Sequence, residues 1–426
     1  MLKSFLRSLT KAGILIVCLQ FSSYPQNNEQ DYKVSQQDIY RTNEIVNQLL
    51  QSSPIIDGHN DLFIHYFDCK DCPKDIDDYP LDTISKGHTD IIRWRKGGVG
   101  GQMLNVFGGM KTLDDYLKAW DLLYRIEEKY KNDLKIVGSS SEMKLAMKEG
   151  KIAILPSLEG AVRLNDNMFF VRNFYKLGLR SVTFAYYTNQ FADGSNDTIK
   201  HNGISKLGEE MVREMNRLGI IIDMSHISAE AMNDILDITK SPVIFSHSNA
   251  RALCNVNRNV PDDVMLRLKE NNGLLMLTAV PYFTRKDHYE WMDRGDTLYY
   301  KTIKEFPDNK AIVDSVMEKW EREDIMPEVT VKDFADHFDY VKNLIGVDHI
   351  GIAGDYDGIY YTIKGMEDVS TYPNLLIELV SRGWTEEEIR KICSENFLRV
   401  FEEIEKVSAQ LKLETQPSLM NLSETN

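Results

Sequence analysis

The feature that most constrains the fold is a series of eight short apolar runs, with helical patterns or loops between them. The runs lie at residues 53–61, 100–108, 152–160, 178–187, 219–228, 241–249, 273–281 and 349–358. Nearly continuous runs rich in Ile, Val and Leu are typical of strands that are buried on both faces of a parallel sheet. Eight such strands alternating with helices predict an α/β protein, a (β/α)8 TIM barrel rather than an open sheet.

Three segments between these runs have the boundaries of helices. Segment 207–219 has apolar residues at helical spacing and ends in glycine, and segment 228–240 opens with Ser228 as a cap. Segment 261–273 opens with proline and two acidic residues and closes with glycine, as helix termini prefer.

Two regions fall outside a minimal barrel. Residues 24–50 predict a helical lead-in before the first strand. Residues 282–330, after the seventh strand, form a long insertion rich in aromatic and charged residues. Loops that follow barrel strands lie on the catalytic face, so we expect this insertion either to border the site or to pack as a helical decoration.

The N-terminus has the pattern of a secretory signal peptide. Three basic residues precede the apolar run 12–21, which is too short to span a membrane comfortably. We expect residues 1–23 to be removed on export to a periplasmic or extracellular location, and Cys18 leaves lipoprotein anchoring open. Residues 24–410 are then expected to form the catalytic barrel and residues 411–426 a polar C-terminal tail.

Charge and cysteine content narrow the classes of partner. The net charge of −15 argues against nucleic acid and anionic membrane surfaces. The tail has no apolar segment, so we expect no transmembrane segment in the mature chain. Cys69 and Cys72 fit a local disulfide or unpaired thiols better than a zinc site, because no second C-x-x-C pair exists. The sequence leaves open whether the chain forms a homodimer.

Six polar side chains lie at the ends of these apolar runs. They are His59, Asp61, Glu159, His226, His247 and Asp355. Barrel active sites are built at the carboxyl ends of the strands, so we expect these six to converge. Strand alternation predicts that His59 and Asp61 point the same way and that Asp57 shares their face, deeper in the barrel. Each residue alone has an ordinary structural explanation, whereas the complete set is much harder to explain in that way.

Three imidazoles and three carboxylates are a donor set for metal ions. Such donors suit zinc, and also manganese, iron or cobalt. They are too many for one tetrahedral zinc, and they suit two ions that are bridged by one carboxylate and one water.

Several motifs together are specific. They include DGHNDL (57–62), RKGGVGGQM (95–103), LEG (158–160), GEEMVREMNRLGIIIDMSHIS (208–228), SHSNARALCNVNRNVPDDVM (246–265) and GIAGDYDGI (351–359). Through these motifs the sequence resembles the membrane (renal-type) dipeptidases, peptidase family M19, within the amidohydrolase-like barrels. The resemblance covers about residues 40–410. It implies that His59 and Asp61 bind one zinc, that His226 and His247 bind a second, and that Glu159 bridges the two.

The resemblance also implies the remaining catalytic roles. Asp355 matches the acid/base that serves a metal-activated bridging water. Arg258 matches the residue that grips the C-terminal carboxylate of the substrate, for which the guanidinium fork is suited. Where mammalian members carry a histidine after the fourth strand, this chain has Tyr186, whose hydroxyl can donate a hydrogen bond to the scissile carbonyl.

The sequence therefore predicts a binuclear zinc enzyme that hydrolyses dipeptides to free amino acids. One alternative is another metal-dependent amidohydrolase on the same barrel, acting on an N-acyl amino acid or a lactone. A second alternative is a non-catalytic binding protein on this scaffold. Loss of a metal ligand would mark the second alternative, and none of the six predicted residues is missing.

Overall fold

The computed structural model of the chain describes residues 36–67, 72, 75–106, 112–164 and 167–420. The barrel belongs to the compact unit of residues 41–426. The predicted signal peptide, with Cys18, lies outside the described residues, as does Cys69. Cys72 is disulfide-bonded, which agrees with a disulfide and not with a zinc site.

Within the described residues, nine parallel strands form one sheet, and eight of them close into a barrel. Strand β2 pairs with both β1 and β4, and β4 leads through β5 to β9 and back to β1. The strands are β1 (Ile55–Asn60), β2 (Val99–Asn105), β3 (Leu134–Ile136), β4 (Ile152–Glu159), β5 (Ser181–Thr183), β6 (Ile221–Asp223), β7 (Ile244–Phe245), β8 (Leu274–Thr278) and β9 (Ile350–Ala353). Each predicted run overlaps one barrel strand, so the predicted fold is confirmed. The extra strand β3 pairs with the start of β4.

Helices surround the barrel. They are α1 (Gln36–Ser52), α2 (Ile64–Phe67), α3 (Ile91–Lys96), α4 (Leu113–Lys129), α5 (Ser140–Lys148), α6 (Met168–Lys176), α7 (Lys206–Leu218), α8 (Ala229–Ile238), α9 (Asp262–Glu270), α10 (Pro281–Thr284), α11 (Lys286–Glu305), α12 (Lys310–Glu323), α13 (Val331–Ile345), α14 (Tyr372–Ser381), α15 (Glu386–Arg390) and α16 (Asn396–Glu414), with a π-helical turn at Lys391–Glu395. None of the helices in the described ranges is long and apolar enough to cross a membrane.

The predicted helix boundaries follow from capping. The Ser228 hydroxyl accepts a hydrogen bond from the backbone N–H of Ala231 at the start of α8. Helix α7 ends at Gly219, whose φ of 84° is a left-handed conformation that glycine adopts without steric cost. The helices predicted at 207–219, 228–240 and 261–273 are therefore confirmed to within three residues at each end.

The barrel interior is apolar where the strands begin and polar where they end. Ile56, Met103 and Leu155 belong to one buried cluster, which Phe397 and Phe401 of α16 join. Because the apolar residues fill this part of the interior, the polar residues that end the strands are left at the opposite end, where the site is expected.

The insertion after β8 satisfies both predicted alternatives in different parts. The rings of Trp291 and Trp320 stack with centroids 4.6 Å apart, which packs α11 against α12 as a helical decoration. Helix α10, at the start of the insertion, places the Phe283 ring 5.2 Å from the guanidinium carbon of Arg258. The insertion therefore borders the predicted site through α10.

Candidate active site

The six predicted side chains meet at the carboxyl ends of the barrel strands. His59 lies in β1, Asp61 directly follows it, Glu159 ends β4, and His226, His247 and Asp355 follow β6, β7 and β9 respectively. Five of the six residues are buried, and the side chain of His226 keeps 14% of its surface exposed. Parallel strands of a barrel end on one face, so residues far apart in sequence become neighbours.

Glu159 lies at the centre of one half of the site. Its Oε1 atom is 2.8 Å from His226 Nε2, 3.2 Å from His247 Nε2 and 3.8 Å from His59 Nε2. The Nε2 atoms of His226 and His247 are 2.9 Å apart. The His59 and His247 rings stack with centroids 3.8 Å apart. Three imidazoles therefore turn a nitrogen toward one carboxylate oxygen.

The other half of the site lies between His59 and two carboxylates. His59 Nε2 is 3.4 Å from Asp61 Oδ2 and 3.9 Å from Asp355 Oδ1. This nitrogen is buried and has no hydrogen-bond partner within the described part of the chain. Two groups of candidate ligands thus share His59: one with Glu159 and His247, the other with Asp61 and Asp355, and in each the donor atoms lie within 4.8 Å of one another.

A buried carboxylate of β6 orients His247, and the sequence analysis missed it. Asp223 Oδ2 accepts a hydrogen bond of 2.6 Å from the Ser246 hydroxyl. The Ser246 oxygen also lies 2.7 Å from His247 Nδ1. Because the hydroxyl hydrogen points to Asp223, His247 donates through Nδ1–H, and its Nε2 lone pair faces Glu159. Asp223 ends β6 and Ser246 directly follows β7, so a search for polar residues at the carboxyl ends of the strands could have found both.

Asp57 lies elsewhere than strand alternation predicts. Its Oδ1 atom accepts hydrogen bonds from the backbone N–H groups of His59 (3.1 Å) and Gly354 (3.0 Å). Its Oδ2 atom accepts one of 2.6 Å from the Tyr372 hydroxyl of α14, outside the barrel. The register of β1 shifts after Asp57, and such a bulge redirects the side chains that follow. The prediction that Asp57 shares the face of His59 is wrong, and Asp57 instead ties β1 and β9 together from behind.

Burial and mutual charge set the protonation of the site. Burial lowers the pKa of His226 and His247 well below the usual value, so both are neutral and suited to bind metal. Burial also opposes protonation of His59, but the neighbouring carboxylates outweigh it and raise its pKa to about 10. Burial, together with Asp61 and Glu159, raises the pKa of Asp355.

These shifts are the electrostatic signature of a site that lacks enough positive charge. Three carboxylates face one another, and the balancing charges that the chain itself supplies are a proton on His59 and the guanidinium of Arg258. Divalent cations would displace that proton and would lower the pKa of Asp355 again, because positive charge favours the carboxylate form. The donor set therefore fits metal ions.

Arg258 lies beside this cluster, fully buried. It donates hydrogen bonds to the Ser248 hydroxyl and, over 2.7 Å, to the carbonyl oxygen of His247. Its Nε–H has no partner, and none of the described carboxylates lies within 4.0 Å to form an ion pair. A buried arginine is almost always paired with an anion. The chain thus leaves a place for an anion that it does not supply.

Tyr186 follows β5 at the open side of the site. Its ring stacks on His226 with centroids 4.6 Å apart, and 45% of its surface is exposed.

Asn105, which ends β2, contacts both Asp61 and Glu159 and was not predicted. Its position at a strand end was the available signal.

Comparison with known proteins bears on the family and the fold. The family described as membrane dipeptidase (peptidase family M19) matches residues 43–415. Among solved structures, "the probable dipeptidase PvdM" from Pseudomonas aeruginosa is 24% identical, with a TM-score of 0.74 over 86% of this chain and 99% of that one.

Two further solved structures share the fold. A metallo peptidase from Rhodobacter sphaeroides, liganded with a phosphinate mimic of the dipeptide L-Ala-D-Ala, is 21% identical with a TM-score of 0.67, over 83% of this chain and 99% of that one. An amidohydrolase from Pseudomonas aeruginosa is also 21% identical with a TM-score of 0.64, over 84% and 98%.

Proposed function

Because the chain belongs to the membrane dipeptidase family, peptidase family M19, we propose that it is a binuclear zinc enzyme that hydrolyses free dipeptides to amino acids. Membership in the family makes the chain a metal-dependent hydrolase of peptide bonds. The number and identity of the ions, the residue roles and the restriction to dipeptides are our proposal.

The observation that carries the proposal is the buried, anion-free guanidinium of Arg258 beside the histidine–carboxylate cluster. Arg258 donates to the carbonyl oxygen of His247, itself one of the proposed ligands. A substrate carboxylate held by the Nε–H and the free Nη–H groups of Arg258 would therefore lie close to the metal cluster. This arrangement suits a substrate with its scissile bond near a free C-terminus.

The proposed ligands divide between two ions. His59 and Asp61 would hold one zinc, His226 and His247 the other, and Glu159 would bridge them. Zinc ions held by these residues would supply the Lewis acidity that lowers the pKa of a water molecule and polarises a carbonyl group. His59 belongs to both groups of candidate ligands, and Glu159 Oε1 faces both His59 and His226. Donors that are shared in this way support two neighbouring ions better than one.

The remaining roles belong to side chains of the chain itself. The Asp355 carboxylate would accept the proton of the attacking water and pass it to the leaving amine. The Tyr186 hydroxyl would donate a hydrogen bond to the scissile carbonyl oxygen as negative charge develops on it. Burial of Asp355 keeps bulk water from its carboxylate and strengthens its interactions.

Export is part of the proposal. The basic and apolar pattern of residues 1–23 supports a signal peptide. The disulfide at Cys72 supports an oxidising compartment, since disulfides are rare in the cytosol.

The test compares free dipeptides with their C-terminal amides. A charge-assisted guanidinium–carboxylate pair contributes about 1.5–3 kcal/mol, so the free dipeptides should have a kcat/KM roughly ten- to a hundredfold higher. The gap should collapse in Arg258→Met. Arg172→Met is the matched control, because Arg172 already pairs with Glu214 at 2.9 Å, and it should leave the acid-to-amide ratio unchanged. Equal cleavage of acids and amides by the unaltered enzyme would reject the dipeptide assignment and favour an N-acyl amino acid or lactone hydrolase.

A further inference from the structure

The side chain of Asn105 joins the two halves of the metal site. Asn105 is the last residue of β2 and is fully buried. Strand β2 lies between β1, which leads to His59 and Asp61, and β4, which ends in Glu159. A side chain at the end of β2 is therefore the one that can reach both neighbouring strand ends.

The carboxamide of Asn105 contacts two of the proposed ligands. Its Nδ2 atom donates hydrogen bonds to Asp61 Oδ1 (2.7 Å) and to Glu159 Oε2 (3.2 Å). Its Oδ1 atom accepts one of 3.1 Å from the backbone N–H of Glu159. This pattern determines the orientation of the amide, because the reverse orientation would set an oxygen against two carboxylates and would leave the Glu159 N–H unpaired.

The contacts sort the carboxylate oxygens. Asn105 occupies Asp61 Oδ1 and Glu159 Oε2, which leaves Asp61 Oδ2 facing His59 Nε2 at 3.4 Å and Glu159 Oε1 facing His226 Nε2 at 2.8 Å. Within the described ranges, no lysine or arginine forms an ion pair with either carboxylate. The amide of Asn105 is thus a neutral donor that fixes which oxygen of each carboxylate faces the histidines.

We propose that Asn105 is a positioning residue that couples the two metal positions, by holding the carboxylates of Asp61 and Glu159 in a fixed register with each other. This inference rests on the proposed two-zinc function. Loss of the carboxamide should weaken the binding of both ions together. Its single amide nitrogen donates to Asp61, a proposed ligand of one ion, and to Glu159, the proposed bridge between both. Partners of this kind typically change metal affinity about ten- to a hundredfold.

The test measures the affinity of metal-stripped protein for both zinc equivalents by competition with a chromophoric chelator. Asn105→Leu should weaken both equivalents at least about tenfold, while the melting temperature of the metal-free protein changes no more than in the control. The control is Asn396→Leu: Asn396 is buried and donates to the carbonyl oxygens of Val347 (2.8 Å) and Ile350 (2.9 Å) away from the site. This control should lower thermal stability and leave both zinc affinities unchanged.

Distinct results separate the two proposals. If the unaltered protein binds fewer than two zinc ions, the two-zinc function itself fails. If it binds two and Asn105→Leu binds them as tightly, or loses one alone, the coupling role of Asn105 is overturned. Should Asn105→Leu fail to fold, Asn105→Ser replaces it, because a serine hydroxyl cannot span both carboxylates. Unchanged zinc affinities in that variant would overturn the proposal equally.

Discussion

At the scale of single residues, two members of the site adopt a backbone conformation that non-glycine residues rarely hold. The φ angles of His226 and Asp355 are 70° and 57°. Such a conformation costs on the order of 1–3 kcal/mol and persists where surrounding contacts impose it. The carbonyl oxygen of His226 accepts from Ser195 N–H at 2.7 Å, and Asp355 N–H donates to the carbonyl oxygen of His59 at 3.2 Å. The strain turns both side chains from the strand direction into the site.

Asp355 gives the first prediction. Asparagine has the shape of aspartate but cannot accept the proton of the attacking water, so Asp355→Asn should lower kcat by about 10²–10⁴-fold. Elemental analysis should still find as much zinc as in the unaltered protein. If zinc is lost together with activity, Asp355 acts mainly as a ligand, as its 3.9 Å distance to His59 Nε2 also allows.

Tyr186 gives the second prediction. Its ring lies on His226, whereas the adjacent Tyr187 is 67% exposed. If the Tyr186 hydroxyl stabilises the developing oxyanion, Tyr186→Phe should lower kcat by about 10²–10³-fold with little change in zinc content. Tyr187→Phe is the matched control and should retain full activity in the same steady-state assay. Similar kcat values for the two variants would remove Tyr186 from the catalytic set.

At the scale of secondary-structure elements, α13 is joined to the catalytic face by a buried histidine. His337 Nδ1 accepts a hydrogen bond from Ala250 N–H at 3.2 Å, in the loop after β7. Its Nε2 lies 3.0 Å from the carbonyl oxygen of Thr284 at the end of α10. The neutral ring satisfies both contacts, as donor through Nε2 and acceptor through Nδ1. Burial lowers the pKa of His337 to about 4.

This pKa predicts a loss of stability in acid. The unfolded chain binds the proton near the ordinary histidine pKa of 6.5, whereas the folded chain resists it down to about 4, so stability falls as the pH drops through that interval. The stability advantage of the unaltered protein over His337→Gln should therefore shrink by about 2 kcal/mol between about pH 7.5 and pH 5. Urea unfolding of both proteins at each pH measures the difference, and other titrating groups cancel. An advantage that is independent of pH would contradict the neutral, buried state of His337.

At the scale of the whole molecule, closure of the barrel concentrates like charge at one end. Asp61, Glu159 and Asp355 follow or end β1, β4 and β9, which lie in one arc of the barrel, and they meet within reach of the His59 imidazole. The metal-free fold therefore stores electrostatic repulsion, which bound cations relieve. Metal binding and the stability of the barrel should be linked for this reason.

Removal of metal tests this link. Protein stripped with a chelator should unfold at a lower temperature, and added zinc should restore the melting temperature with saturation near two equivalents. At a free zinc concentration a hundred times the dissociation constant, each site should add about 2.7 kcal/mol to the free energy of unfolding. Calorimetry with parallel zinc titration measures both quantities. Saturation at one equivalent, or a melting temperature unaffected by the chelator, would contradict the binding of two zinc ions that stabilise the barrel.

The sequence by itself determined the eight barrel strands and the end of the barrel at which the candidate catalytic residues lie. Each apolar run reflects burial of its own segment, which is a local property of composition, and the polar residue that follows it is equally local. His59, Glu159 and Asp355 could therefore be assigned to one face without knowledge of any contact. Strand β3 escaped detection, because only one of its three residues is buried and the segment therefore has no continuous apolar run.

Only the tertiary structure decided where side chains point and what they touch. The register shift that follows Asp57 in β1 separates its direction from that of His59, so Asp57 faces α14 against the prediction from alternation. Asn105 found its partners 44 and 54 residues away in the chain, at Asp61 and Glu159. Pairing register and contacts between distant strands arise from closure of the whole barrel, so no pattern within one segment encodes them.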